Sequence, residues 1–190
     1  MHRTAESWLG HPFDGQPEAA AVEALLLRYL EAFGPASVMD AQKWSGLTRL
    51  RPHFERLRAR LVTFRDEAGR ELFDLPAAPR PDPDVPAPPR FLPEFDNLLL
   101  AYADRARVLP PEHAPLVMKG GIVLGTILLD GRVAGSWRVE GRRRRAPALK
   151  LELFCRPSRG GRSGLEEEGR RLLAFAAPDG GGGEMEWVGR

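Results

Sequence analysis

The stretch from Ser37 to Leu75, SVMDAQKWSGLTRLRPHFERLRARLVTFRDEAGRELFDL, decides the fold of the first half of this chain. It opens on a Ser-x-x-Asp capping box, in which a side-chain oxygen satisfies a free amide at the start of a helix that runs to about Ser45. Gly46 then permits the left-handed or tight backbone of a turn. A further helix follows, and its apolar side is formed by Leu50, Phe54, Leu57 and Leu61. Helix, three-residue turn and helix form the helix-turn-helix pattern.

A β-hairpin is predicted directly after these helices. Two apolar runs, at residues 61–64 and 71–75, bracket the polar turn at residues 66–69, which is the pattern of two strands joined by a turn. Upstream, the apolar positions of residues 17–33 recur at three- and four-residue steps, which predicts a helix that ends at Gly34-Pro35. Three helices and a hairpin together predict a winged helix.

The second half of the chain predicts a small antiparallel sheet. Asp130-Gly131 is the strongest short-range hairpin signal in the sequence, because this dipeptide adopts the positive φ angles of a tight hairpin turn. The predicted strands are residues 122–129, 132–139 and 149–154, and the predicted closing helix is residues 166–177. The apolar run of residues 95–102 fits a short helix or a buried strand equally well.

The domain division follows from the prolines between the two halves. From Pro76 to Pro89 nearly every second residue is proline, so this stretch cannot supply the amides of a helix or sheet and should be a stiff, extended spacer. The predicted parts are a lead-in segment at 1–16, a winged helix-turn-helix domain at 17–75, a Pro-rich linker at 76–90 and a C-terminal domain at 91–190. The predicted fold class is α+β.

Composition restricts the class of protein. A chain of 190 residues with 43% apolar content can fold as two small domains. Cys155 is the single cysteine and the four histidines are scattered, so we expect no internal disulfide, zinc site or small-molecule cofactor. No signal peptide and no membrane-spanning window is present. We therefore expect a cytoplasmic globular protein.

Arginines are concentrated near the second helix of the helix-turn-helix, although the formal net charge is only +2. Such a helix enters the major groove, so we expect this segment to contact duplex DNA. Proline is comfortable only in the first turn of a helix, so Pro52 places Arg49 and Arg51 in the turn and favours Arg56 and Arg60 as contacts. The full set of predicted contacts here is Arg49, Arg51, His53, Arg56, Arg60 and Arg65. The alternative is that these residues only solubilise a surface helix.

Two further basic sites lie in the second half. Arg142, Arg143, Arg144 and Arg145 form a run that could clamp the phosphate backbone, since each neutralised phosphate adds affinity without sequence preference. Arg132 follows the predicted hairpin turn and could reach a groove. The alternatives are a solvated loop for the first site and an ordinary sheet turn for the second.

Several segments carry a resemblance to a known family. They are RFLPEFDNLLLAYADR at residues 90–105, DGRVAGSWR at residues 130–138, and the shorter segments at residues 8–10, 33–36 and 44–47. Together they resemble the winged-helix DNA glycosylases called AlkZ-like, which remove alkylated bases and unhook interstrand crosslinks. The resemblance extends over roughly residues 6 to 177 and is to the C-terminal half of such proteins.

The resemblance also implies what this chain lacks. In the family a Gln-x-Gln or Gln-x-Asp pair in an N-terminal region is catalytic, whereas Gln16 and Gln42 are the only glutamines here. We therefore predict no catalytic residue. By the same resemblance, Asp96 should accept backbone amides, and Asp104 should pair with Arg105.

The hypothesis from sequence is a protein that binds intact or damaged double-stranded DNA and lacks glycosylase activity in this chain. One alternative is an active glycosylase that uses Glu94 or Asp96. The others are a protein-interaction module and a non-functional gene fragment. The aromatic residues that could stack on bases are expected in the core instead, and they are Trp44, Trp137, Phe91 and Phe95.

Overall fold

The computed structural model describes residues 4–10, 18–141, 147–176 and 183–188. The chain divides into two compact units, Met1–Ala78 and Pro79–Arg190. The helices of the first unit are α1 (Ala5–Leu9), α2 (Glu18–Phe33), α3 (Val38–Ser45) and α4 (Arg51–Leu57), and a 3-10 turn (Arg58–Arg60) follows α4. Its strands, β1 (Val62–Arg65) and β2 (Glu71–Asp74), pair as an antiparallel hairpin. The helices α2, α3 and α4 and the hairpin correspond to the predicted elements. Helix α1 was not predicted, and α4 begins at Arg51, which was expected in the turn, and ends at Leu57, short of Leu61.

The start of α3 confirms the predicted capping box. Ser37 Oγ accepts a hydrogen bond from Asp40 N at 3.2 Å, and Ser37 N donates to Asp40 Oδ2 at 2.8 Å. At the other end of α3, Gly46 has a left-handed φ of 72°. The connection to α4 covers residues 46–50, so the predicted three-residue turn is too short. The reason is a second left-handed residue, Arg49 with φ 58°, which delays the start of α4.

The hairpin joins the helices through Ala36 and Phe73. Ala36 N donates to Phe73 O at 3.0 Å, and Phe73 N donates to Ala36 O at 2.8 Å. The Phe73 ring is fully buried and packs against Phe54 of α4, with ring centroids 4.8 Å apart. Helices and hairpin therefore share one core, whose buried apolar residues are Leu26, Tyr29, Leu30, Ala36, Val38, Ala41, Leu50, Phe54, Leu57 and Phe73.

Gly34, just beyond α2, occupies a position where no side chain fits. A Cβ at this position would lie 2.3 Å from Asp74 Oδ1 and 2.6 Å from Leu30 O. Asp74 is itself buried, and its Oδ1 accepts a hydrogen bond from Leu75 N at 2.8 Å. The missing Cβ therefore allows the end of α2 to approach the end of the hairpin closely.

The Arg58 side chain ties the 3-10 turn to β2. Its Nε lies 2.7 Å from Glu55 Oε2, and its Nη1 lies 2.9 Å from Glu71 Oε1. The guanidinium carbon also lies 5.2 Å from the centroid of the Phe73 ring. The hydrogen bond from Arg58 holds the pKa of the Glu71 carboxyl below its usual range, and the two glutamates raise the pKa of Arg58. This arginine has a structural role in the first unit.

The second unit is built around a five-stranded sheet. Its helices are α5 (Asn97–Leu100), α6 (Ala114–Val117) and α7 (Arg159–Ala176), and its strands are β3 (Arg90–Leu92), β4 (Met118–Lys119), β5 (Ile122–Val123), β6 (Thr126–Leu129), β7 (Arg132–Glu140), β8 (Ala148–Leu153) and β9 (Glu184–Val188). The sheet has the order β3-β6-β7-β8-β9, while β4 and β5 pair separately. Antiparallel pairing of β6 with β7 confirms the predicted hairpin at Asp130-Gly131. The run at residues 95–102 contains a short helix, α5.

The prediction of a purely antiparallel sheet is wrong. β9 pairs with β8 in parallel, with Leu149 opposite Met185, so the main sheet is mixed. Parallel neighbours need a crossover, and α7 supplies it. This helix begins at Arg159 instead of residue 166, because the glycines of its first turns have low helix propensity and concealed its start in the sequence.

The main sheet contributes side chains to two hydrophobic clusters. The first consists of Ile127, Leu149, Leu151, Leu165 and Leu173, which come from the strands and α7. The second consists of Leu99, Leu109, Val117, Val123, Leu128 and Val133. Ile127 and Leu128 are neighbours in β6 but belong to different clusters, because successive side chains of a strand point to opposite faces. Both faces of the sheet are therefore packed.

Trp137 connects β7 to the start of the unit. Its indole Nε1 donates a hydrogen bond to Leu92 O at 2.7 Å, and the Phe91 ring meets it edge-on with centroids 5.8 Å apart. Gly125 lies against the indole, since a Cβ there would be 3.0 Å from it. Two segments that stand out in the sequence, at residues 90–92 and around Trp137, therefore meet in the core of this unit.

Within the described residues, no helix combines the length and the apolar character needed to cross a bilayer. Over the same ranges, no group of three or more His, Cys, Asp or Glu side chains is arranged to hold a metal ion. The single cysteine, Cys155, is exposed.

Replacement of Gly34 by Ala should destabilise the first unit. The added methyl group would overlap Asp74 Oδ1 and Leu30 O, and overpacking of this kind costs about 1–3 kcal/mol. The measurement is urea unfolding, with hydrogen exchange of the Phe73 amide to report on the first unit. Gly160→Ala is the control, because a Cβ at that helical position meets nothing within 4 Å. Equal stability of the two variants would contradict the steric argument.

Replacement of Glu71 by Gln should reduce stability in a pH-dependent way. Because the folded-state pKa of Glu71 lies below its ordinary value of 4.5, its stabilising contribution is fully present above about pH 4.5 and is lost as the pH falls through the folded value. We expect the wild type to be more stable than the variant near pH 7, and this difference to shrink in acid. Urea unfolding across this pH range measures it, with exposed Glu67→Gln as the control. A pH-independent difference would argue against the ion pair.

Candidate nucleic-acid interface

The turn before α4 is fixed by polar side chains of α3. Gln42 Oε1 accepts a hydrogen bond from Leu50 N at 3.0 Å, which satisfies an amide at the helix start. Ser45 Oγ accepts from Leu47 N at 3.2 Å and donates to Ala41 O at 2.7 Å. These hydrogen bonds fix the backbone of the turn, and Arg49 lies in its exposed part.

Arg56 is held by two neighbours. Its Nε donates to Glu23 Oε1 of α2 at 2.6 Å, and its Nη2 lies 2.8 Å from His53 Nδ1. Arginine can only donate, so His53 Nδ1 is the acceptor in this contact. The Arg56 side chain is still 49% exposed, whereas the His53 side chain is 20% exposed. Arg56, one of the two residues favoured from the sequence, is thus oriented by Glu23 of α2.

The other predicted DNA contacts of this segment differ in how far other protein groups already engage their side chains. Arg51 makes a long ion pair of 3.8 Å with Glu55 on an open surface, and Arg65 Nη1 donates to Gly69 O at 3.1 Å within the hairpin. Arg49 and Arg60 are exposed, and neither has an ion-pair partner among the described residues. Arg65 also lacks a carboxylate partner among these residues, but its guanidinium is engaged with a backbone carbonyl, whereas no such contact is seen for Arg49 and Arg60.

Two residues near this surface were missed from the sequence. Lys43 is exposed in the last turn of α3 and makes no ion pair within the described part of the chain. Lys43 was missed because it lies outside the arginine-rich segment, and a single lysine does not by itself indicate DNA binding. Glu23 was missed because it lies 33 residues before its partner Arg56, and no local spacing indicates such a contact.

Of the two predicted basic sites of the second unit, the structure describes the one at Arg132. Arg132 is exposed at the start of β7 and its Nη2 lies 3.4 Å from Ala106 O. It also lines a cavity of about 530 Å³ together with His113, Cys155 and Arg156. His113 Nδ1 lies 2.8 Å from Val133 O, which ties this ring to the sheet. Arg142, Arg143, Arg144 and Arg145 lie outside the described residues.

Two of the acidic residues singled out in the sequence, Asp96 and Asp104, accept hydrogen bonds from backbone amides. Asp96 Oδ1 accepts a hydrogen bond from Leu98 N at 2.8 Å and caps α5. Asp104 Oδ1 accepts from Ala106 N at 3.0 Å, and Arg105 Nε donates to Leu99 O. Glu94 is exposed. The contacts of Asp96, Asp104 and Arg105 support the local backbone around α5.

The four aromatic residues expected in the core do not all lie there. Trp44 is partly buried and its ring centroid lies 5.0 Å from that of Tyr29, and Trp137 and Phe91 pack together as described above. Phe95 departs from the expectation, since it is 48% exposed with a φ of 56°. Its left-handed backbone turns the chain before α5 and leaves the ring at the surface.

Known proteins share both the sequence and the fold of this chain. The family model for DNA glycosylase AlkZ-like proteins matches residues 1–175. An interstrand DNA cross-link repair glycosylase of Streptomyces sahachiroi is 31% identical over 137 residues, which cover 65% of this chain and 35% of that protein.

The solved structure of the Streptomyces sahachiroi DNA glycosylase AlkZ superposes with a TM-score of 0.77 at 26% identity, over 96% of this chain and 50% of that one. The chain therefore spans half or less of the length of these relatives. Because the family match extends over most of the sequence and the fold agrees, the chain belongs to the AlkZ-like DNA glycosylase family.

Proposed function

We propose that this chain is a duplex-DNA-binding protein whose first unit is a winged helix, with α4 as the helix that approaches the major groove. The observation that carries the proposal is the pair of exposed arginines, Arg49 and Arg60, one before α4 and one after it, neither matched by a carboxylate among the described residues. The order of α3, turn, α4 and hairpin supports it, because this order places the second helix of the pair outward. Membership of a DNA glycosylase family supports a DNA partner.

The contacts we propose are to the phosphate backbone. An exposed guanidinium without a protein partner loses little when it meets a phosphate, whereas Arg58 would first have to give up Glu55 and Glu71. Arg49 and Arg60 are therefore the main phosphate contacts, with Lys43 and Arg51 as secondary ones. Arg132 and the run from Arg142 to Arg145 are proposed to add backbone contacts from the second unit. Intact and damaged duplexes are both proposed ligands.

We also propose that this chain does not excise bases by itself. The glutamine pair that the family resemblance assigns to catalysis does not occur in the sequence, where Gln16 and Gln42 stand apart. Gln42 is engaged with Leu50 N in the turn before α4. Asp96, the alternative acid, is engaged with Leu98 N.

The first test is the salt dependence of DNA binding. Each phosphate contact contributes about 0.9 to the slope of log affinity against log salt on B-form DNA. We expect Arg49→Ala and Arg60→Ala each to weaken binding and to reduce this slope by about 1, measured by fluorescence anisotropy with a short labelled duplex. Arg170→Ala is the matched control, because Arg170 is exposed on α7 with no ion-pair partner among the described residues. A folded protein that fails to bind at low salt would overturn the DNA-binding proposal in favour of a protein partner.

The second test concerns activity. Incubation of the chain with a duplex carrying N7-methylguanine, followed by alkaline cleavage of abasic sites, should give no more product than buffer alone. Product above this background that disappears in Asp96→Asn or Glu94→Gln would establish the alternative of an active glycosylase with a different catalytic residue.

A further inference from the structure

The contacts around Arg56 use one edge of its guanidinium and leave another edge free. Nε and Nη2 form the side edge of the planar group, and they meet Glu23 Oε1 at 2.6 Å and His53 Nδ1 at 2.8 Å. The end edge consists of one N–H from Nη1 and the second N–H from Nη2. No acceptor among the described residues meets Nη1, and the side chain is 49% exposed.

This arrangement differs from that of an arginine suited to phosphate binding. Glu23 lies within ion-pair distance, so its carboxylate compensates the charge of Arg56 and little electrostatic attraction toward a phosphate remains. Two neighbours also fix the plane of the guanidinium, which reduces the rotamer entropy that a directional contact would otherwise cost. What remains is a pre-oriented pair of parallel N–H donors.

A pair of parallel donors on a helix that approaches the major groove matches one base edge best. Guanine presents two adjacent acceptors there, O6 and N7, whereas adenine and cytosine each present a donor. We propose that Arg56 reads the O6/N7 edge of guanine in duplex DNA, with Glu23 and His53 as the residues that position it. This inference rests on the proposed DNA-binding function of α4 and assigns sequence discrimination to a residue separate from the phosphate contacts.

Positioning by Glu23 has a signature that a structural ion pair would not give. In Glu23→Gln the shape is kept but Arg56 is freed and its charge is no longer compensated. Affinity for any duplex should then increase and the salt slope should steepen by about 1, because Arg56 becomes an additional phosphate contact. Discrimination for guanine should fall at the same time. If Glu23 had only a structural role, Glu23→Gln would lower thermal stability but would not raise affinity for duplex DNA while lowering the preference for guanine.

The experiment compares two duplexes of equal length and charge, one of alternating guanine and cytosine and the other with 7-deazaguanine at every guanine. The full chain is titrated with each duplex by fluorescence anisotropy. The wild type should bind the guanine duplex about fivefold or more tightly than the 7-deaza duplex, since one bidentate contact discriminates by at least that factor. Arg56→Lys should lose the preference, because lysine keeps the charge but has no planar fork. Arg60→Ala should keep the preference while binding both duplexes more weakly.

The outcomes separate this inference from the function on which it rests. Salt-dependent binding with equal affinity for the two duplexes would overturn guanine reading and leave DNA binding intact. A preference that survives in Arg56→Lys would overturn the role of Arg56. Absence of binding to either duplex by the folded protein would overturn both proposals. Circular dichroism of each variant establishes that it is folded.

Discussion

The two backbone hydrogen bonds between Ala36 and Phe73 are the constraint on which the first unit is built. They attach the hairpin to the chain that connects α2 with α3, and they bring the Phe73 ring to Phe54 on the inner side of α4. Gly34 lies two residues before this bridge, at a point where only a glycine allows Asp74 to approach. Arg58 then closes the outer side through Glu71. With its inner side fixed by packing and its ends by polar contacts, α4 presents a defined surface.

Much of the fold could be predicted from local chemistry. The capping box at Ser37, the left-handed Gly46 and the Asp130-Gly131 turn act over a few residues, so their sequence signals are strong. The wrong predictions for the turn before α4 and for Phe95 come from left-handed residues, Arg49 and Phe95, that no sequence signal indicates, and those for the second unit concern non-local pairing or misleading composition. The strand β9 joins the sheet only through its parallel partner β8, and three glycines disguised the first turns of α7. No local sequence pattern indicates that a strand pairs in parallel with another strand on the far side of an intervening helix.

The sequence predicted a candidate interface around α4 and favoured Arg56 and Arg60, but it could not show which arginines are already engaged by other side chains. Arginine spacing identified the surface around α4, whereas the partner of each arginine depends on how α2 packs against it. Glu23 engages Arg56, and Glu55 with Glu71 engages Arg58, so two of the most prominent arginines are already committed to protein contacts. Arg49 gains importance only once these contacts are known, whereas Arg60 was already favoured by the sequence. In the proposed interface, this geometry assigns attraction to DNA and discrimination between its bases to different arginines.

The parallel pairing of β8 with β9 also has a consequence for how the protein acquires its structure. Leu149 and Met185 become neighbours only after the whole of α7 has formed or looped out between them. Such long-range closures slow folding, because the chain loses conformational entropy before the stabilising contacts form. In the first unit, the hairpin and the capped helix arise from neighbouring residues. On refolding from denaturant, the β1–β2 hairpin and the capped start of α3 should therefore form before β9 pairs with β8.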